Sequence, residues 1–150
     1  MELSVTQENL TKALSNVGRV ASSKTGLPIL SNILLRTDGN RLLVAATNLE
    51  IASTHHVGAK IITPGAITIP ARLISEFIAS LPKGTVELKV KDNHLSIASG
   101  SYSSVINGVA ADEFPELPTI DETSSIQYSI STADFKQAVS QTIVTTSSDN

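Results

Sequence analysis

Two stretches of this chain say nearly the same thing 125 residues apart. Tyr128, Ser129, Ile130 and Ser131 repeat the pattern of Leu3, Ser4, Val5 and Thr6, and Phe135, Ala138, Val139 and Ser140 repeat that of Leu10, Ala13, Leu14 and Ser15. Both stretches read as a short alternating strand, a hydroxyl residue at the cap position, and a helix with an apolar stripe. An internal repeat of this length constrains the fold more than any short motif, because it implies a duplicated domain of roughly 120 residues. The plainer explanation is that any strand followed by a helix carries this pattern. The chain closes on Thr145-Thr146-Ser147-Ser148-Asp149-Asn150 without a second complete hydrophobic pattern. A lone strand and helix cannot bury a core. The expectation is therefore one whole domain over 1–122, then a linker and the truncated start of a second domain over 123–150.

Between the repeats the periodicities predict an α+β fold, with two helices packed on antiparallel sheets. After the strand over 2–6, Leu10, Ala13, Leu14 and Val17 fall at i, i+3, i+4 and i+7 of a helix capped by Thr6. Gly18 weakens its end, and Ser22-Ser23-Lys24-Thr25-Gly26 reads as a polar loop. Extended runs over 27–36 and 41–47 flank Asp38-Gly39-Asn40, a hairpin turn whose Gly and Asn accept positive φ. Residues 49–60 and 66–69 predict further strands. Pro70 opens a second helix with apolar positions Leu73, Ile74, Phe77, Ile78 and Leu81. A second hairpin, 85–91 with 94–99, turns at Asp92-Asn93, and 101–109 adds a last strand. Ala111 to Glu122, with Pro115, Pro118 and five acidic residues, reads as the linker.

Little catalytic chemistry is legible. With no cysteine, disulfides, thiolate nucleophiles and cysteine metal sites are excluded. Neither of the common glycine-rich phosphate loops nor a serine-nucleophile elbow occurs. His55 and His56 are adjacent, so on a strand they point to opposite faces and do not readily share a metal. His94 falls near Asp92 in a turn. No cofactor and no metal are expected, and no spacing singles out a hydrolase triad. No apolar run approaches the ~20 residues a membrane helix needs. Met1-Glu2-Leu3-Ser4-Val5 lacks the basic and apolar regions of a secretory leader, so the expected compartment is the cytoplasm.

The charge balance, 11 basic against 14 acidic residues, argues against a bulk-charge nucleic-acid binder. It leaves room for a local basic face. Lys12 and Arg19, seven apart, share a face of the first helix opposite Leu10, Leu14 and Val17, and Lys24 follows in the loop. Arg72 lies in the first turn of the second helix beside Ser75. If both helices pack in the same direction, their outer faces form a mildly basic, Ser- and Asn-rich surface suited to phosphates but not to reading bases. An ordinary solvated helix face would carry the same residues, with Glu8 and Glu76 among them.

Four segments weigh toward the first alternative: Leu27-Pro28-Ile29-Leu30, Thr47-Asn48-Leu49-Glu50, Ile69-Pro70-Ala71-Arg72, and Ala110-Ala111-Asp112-Glu113-Phe114-Pro115-Glu116-Leu117-Pro118. In this order and spacing the chain resembles the first domain of the bacterial DNA sliding clamps, the β subunits of the replicative polymerase, and the resemblance continues through the restart at Ser125. It implies the DNA-clamp fold: repeated domains, each with two helices inside a ring and sheets outside, and two protomers closing the ring around duplex DNA. It implies a non-catalytic processivity factor that binds DNA without regard to sequence and holds it topologically. Lys24, where the family often has Arg, and Arg72 become DNA contacts by this resemblance, with Ser148 near a further contact of the second domain. Lys12 and Arg19 are added from helix geometry.

Two departures stand out. Asn48 replaces the usual Asp. The strand from Ser101 to Asn107, expected at the ring interface, lacks the family's frequent basic and aromatic residues, leaving Tyr102, Val105 and Ile106 for the contact. The groove that binds polymerase and clamp-loader subunits lies between later domains of the family, so these partners are expected only of the full-length homodimeric ring. The present chain is expected to be monomeric. The competing readings are a stand-alone α+β protein-interaction domain without a DNA role and, more remotely, a hydrolase with a deep polar pocket.

Overall fold

The structure, a computed structural model, describes residues 1–21, 27–117, 126 and 128–146. They divide into two compact units, Met1–Pro118 and Thr119–Asn150.

The first unit is built from two similar halves. In one, β1 (Glu2–Thr6) runs directly into α1 (Gln7–Val17), and β2 (Asn32–Asp38), β3 (Arg41–Thr47) and β4 (Ala52–Gly58) follow. After a short β5 (Lys60–Thr63), the other half repeats the plan with β6 (Ala66–Pro70), α2 (Ala71–Ser80), β7 (Thr85–Lys91), β8 (His94–Ser99) and β9 (Tyr102–Asn107). The halves exchange their leading strands. β1 joins β7 in a sheet ordered β5-β1-β7-β8-β9, while β6 joins β2 in a sheet ordered β4-β3-β2-β6. Every pairing between these strands is antiparallel.

The two helices share one core with both sheets. In α1 the buried residues are Leu10, Ala13, Leu14 and Val17, the stripe its periodicity predicts, together with Gln7. Thr6 takes the extended backbone of a cap residue but its side chain makes no capping bond. The side-chain amide of Gln7 instead donates to Thr11 Oγ1 at 3.2 Å and to the Ile78 carbonyl at 2.9 Å, tying the start of α1 to the end of α2. In α2 the expected apolar stripe narrows to Ile74 and Ile78, with Leu81 buried just beyond the helix. Leu73 is 54% exposed. It stands about 100° around the helix from Ile74, off the side that rests on α1 and β6.

Three extended runs fold differently from their sequence pattern. Pro28–Ser31 make a 3-10 turn, because Pro28 opens it and the Ser31 hydroxyl donates to the Pro28 carbonyl at 2.7 Å, so β2 begins only at Asn32. Residues 49–60 are not one strand. Asn48 Oδ1 accepts the amides of Glu50 and Ile51 at 3.1 and 2.9 Å, closing a turn in which Leu49 has φ 76°. β4 then ends at Gly58 and the chain crosses to the other sheet as β5. At the first hairpin Gly39 takes positive φ; at the second, Asp92 and Asn93 both do.

The stretch expected to be a linker from Ala111 onward begins as part of the first unit. Gly108 and Val109 bring the chain back against β6, where Thr68 and Val109 exchange backbone hydrogen bonds of 3.0 and 2.9 Å. A 3-10 turn over Ala111–Glu113 follows, and Phe114, 7% exposed, packs with Leu34, Leu43 and Ala45 on the back of the four-stranded sheet.

In the second unit α3 (Thr132–Thr142) occupies the positions of α1 displaced by 125 residues. Phe135 and Val139 stand where Leu10 and Leu14 do, yet they are exposed. Residues 128–131, expected as a strand, pair with no strand among the described residues. An extended segment becomes a strand only when another backbone takes up its hydrogen bonds.

Candidate nucleic-acid interface

α1 and α2 lie side by side and leave an open cleft of about 650 Å³ between them, lined by Leu14, Ser15, Gly18, Arg19, Ala21, Ser31, Ala71, Arg72, Ser75 and Glu76. Arg19 lies two residues past the end of α1. The Gly18 amide closes the helix on the Leu14 carbonyl at 2.8 Å, and the Val20 amide folds onto the Val17 carbonyl at 3.0 Å. Arg72 comes from the first turn of α2. Its Nε donates to Glu76 Oε1 at 2.7 Å, one helical turn on, while the side chain remains 87% exposed. The hydrogen bond and charge of Glu76 raise the Arg72 guanidinium above its ordinary value, and its two Nη groups remain for other partners. Two guanidinium groups with the hydroxyls of Ser15 and Ser75 can donate to phosphate oxygens without discriminating bases.

Lys12 does not join this cleft. Arg19 lines the cleft together with Ser15, one turn earlier, on the side of α1 toward α2. Lys12 lines a separate concavity of about 230 Å³ on the other side of α1, with Asn9, His55, His56, Val57 and Gly58. Lys24 and Ser148 lie outside the described residues. Ser31 is a cleft residue with no signal in the sequence, since the run containing it reads as a strand rather than a turn.

The candidate ring-contact strand, β9, is an edge of the five-stranded sheet. Tyr102 and Val105 are 54% and 61% exposed. Ile106 is buried at 8% and packs in the main core. It lies opposite Leu95 across β8, and residues opposite one another in an antiparallel pair share a face, here the inner one. Ile106 therefore cannot reach a partner as the sequence pattern suggested.

The two adjacent histidines do face opposite ways. His55 lies opposite Val44, which faces the main core, and His56 lies opposite Leu43, which faces the Phe114 cluster. His56 Nε2 is 3.3 Å from Asp38 Oδ2, and Arg41 approaches the same oxygen at 3.7 Å. Among the described residues no cluster of His, Cys, Asp or Glu is placed to hold a metal, and no helix is long and apolar enough to cross a membrane.

Comparison with known proteins follows the same lines. The family model described as the DNA polymerase III beta subunit, N-terminal domain, matches residues 1–118. The beta sliding clamp of Synechococcus elongatus is 35% identical over 137 residues, covering 87% of this chain and 36% of that protein. That of Bacillus subtilis is 31% identical over 152 residues, covering 95% and 40%. A solved structure of pol III beta from Caulobacter crescentus matches with a TM-score of 0.91 at 31% identity, over 100% of this chain and 40% of that one. The chain thus spans well under half the length of the curated relatives it matches.

Proposed function

The chain belongs to the beta sliding clamp family, the β subunits of bacterial DNA polymerase III, and on that footing we propose that it forms the N-terminal part of a processivity clamp. In the full-length protein two copies close a ring around duplex DNA, independent of its sequence, and tether the polymerase after a clamp loader has opened the ring. The clamp makes and breaks no covalent bond, and it works in the cytoplasm. Arg19 and Arg72 meet the DNA backbone from the cleft between α1 and α2. Lys12 contributes from the other flank of α1, and Lys24 and Ser148 are assigned by family resemblance. Tyr102 and Val105 on the β9 edge meet the other protomer.

The observation that carries this reading is the pair of arginines exposed in the cleft between two packed helices, in a chain whose net charge is −3. A strongly salt-dependent DNA binder gains its affinity from many phosphate contacts. A ring needs few, because it is held by topology. The test is retention of the full-length protein, loaded by its clamp loader onto nicked circular DNA, before and after the circle is cut. Retention on the circle with loss from the line is the expected result. Equal binding to both would replace encirclement with ordinary surface affinity.

A further inference from the structure

An aspartate or asparagine side chain cyclises onto the backbone most readily where glycine follows, because no Cβ shields the attacking nitrogen. Two of the 8 glycines stand after such a residue, Gly39 after Asp38 and Gly108 after Asn107. In an unstructured peptide at neutral pH the Asn–Gly pair reacts much the faster. The fold treats the two in the opposite order. Asn107 ends β9, and the Gly108 amide donates to the Asn93 carbonyl at 2.8 Å. Gly108 is also wedged against the Thr68 carbonyl oxygen, which a Cβ would approach to 2.5 Å, so its nitrogen is not free to turn toward the Asn107 side chain.

Asp38 has none of these restraints. It ends β2, pairs with Arg41, and leaves Gly39 and Asn40 as an exposed two-residue loop. The Gly39 amide takes part in no backbone hydrogen bond among the described residues, and nothing lies within 4 Å of where its Cβ would be. The Asp38 side chain is 52% exposed, and its Oδ2 is held at 3.3 Å from His56 Nε2 and 3.7 Å from Arg41 Nη2. Those contacts must break before Cγ can swing to the Gly39 nitrogen.

We propose that Asp38–Gly39 is a site of spontaneous isoaspartate formation in the folded protein, slowed by the hold of His56 and Arg41 on the carboxylate, and that the fold keeps Asn107–Gly108 inert. The Gly39 nitrogen attacks Asp38 Cγ. The carboxyl group, protonated from solvent, loses its hydroxyl together with the amide proton as water, and a five-membered imide closes. Water then cleaves the nitrogen's bond to Cγ, restoring aspartate, or its bond to the Asp38 backbone carbonyl carbon, leaving Gly39 linked through Cγ. One water leaves, one enters, and nothing is oxidised or reduced. The second product lengthens the main chain by one carbon inside a two-residue turn and leaves the carboxylate on Cα.

The test ages the full-length protein in neutral buffer, with and without guanidinium chloride, and follows both sites by peptide mapping with fragmentation that separates aspartate from isoaspartate. In the unfolded sample Asn107 should react first. In the folded sample isoaspartate should accumulate at position 38 while Asn107 stays intact. Faster reaction at Asn107 in the folded protein overturns the proposal, and so does a folded protein in which neither site changes while the unfolded one converts. Asp38→Glu should abolish the product, since the six-membered ring closes far less readily; an unchanged yield of that peptide's variant form would place the reaction elsewhere and overturn the assignment. His56→Ala should raise the folded-state rate about twofold, the worth of one exposed ion pair. An unchanged rate there would overturn the part given to the ion pair.

Discussion

At Gly108 the chain leaves β9 and folds back onto β6 with no room for a side chain. A Cβ there would lie 2.5 Å from the Thr68 carbonyl oxygen and 2.7 and 2.8 Å from the Cδ1 atoms of Ile69 and Ile67. Gly108→Ala must displace backbone or core, and should cost about 1–3 kcal/mol in urea unfolding. Gly58→Ala, with open space around it, is the control and should leave the midpoint unchanged or slightly raised. A second residue-scale effect is electrostatic. The hydrogen bond and charge of Lys83 hold the Glu8 carboxyl below 4.5, and Glu8 reciprocally raises Lys83 above 10.5. The sign follows from each shift. The Glu8 contribution is present above its unfolded value and fades as pH falls through the lowered one, and the Lys83 contribution is lost as pH rises through the raised one. Both groups are exposed, so the stability effect is small. In Lys83→Ala an NMR titration should find Glu8 moved back toward 4.5.

At the scale of elements, α2 shows how far periodicity carries. Its sequence offers five apolar positions, but within the helix only Ile74 and Ile78 are fully buried, while Phe77 packs against the core half-covered and Leu73 is exposed. Ile74→Ala should therefore lose about 2–5 kcal/mol. Leu73→Ala should lose less than ~0.5 kcal/mol, as an exposed substitution. Equal losses in chemical denaturation would mean that Leu73 is covered in solution. The hairpins were legible because their turns demand residues that tolerate positive φ, and Gly39, Asp92 and Asn93 meet that demand. The break between β4 and β5 was not legible, since both are extended and differ only in which sheet supplies their hydrogen bonds. Periodicity likewise could not separate Lys12 from Arg19, because which of two concavities each lines depends on whether α2 or β4 flanks it.

For the molecule as a whole, the exchange of β1 and β6 between halves makes neither half a fold by itself, and leaves β9 as an open edge. An edge strand with exposed Tyr102 and Val105 is a pairing surface. In the full-length protein Val105→Glu should shift the sedimentation profile from dimer to monomer with no change in thermal unfolding of this unit, because Val105 is 61% exposed. A dimer of unchanged stability would remove β9 from the interface. The same substitution at Ile106 would unfold the core instead, and so could not report on assembly.

The sequence alone determined the composition of the elements: the stripe of α1, the two hairpins, the start of α2 at Pro70, and the recurrence of α1 as α3 at an offset of 125 residues. Those are local properties, set by side-chain periodicity and by the φ values that Gly, Pro, Asn and Asp permit. Only the tertiary structure decided which sheet each strand entered, that Phe114 closes the back of one sheet, that Ile106 faces inward and Val105 outward, and that Arg19 lines one concavity with Arg72 while Lys12 lines another with His55. Periodicity says which side of an element is apolar. It does not say which neighbour covers that side, because coverage depends on chain segments far apart in sequence that meet only when the core closes.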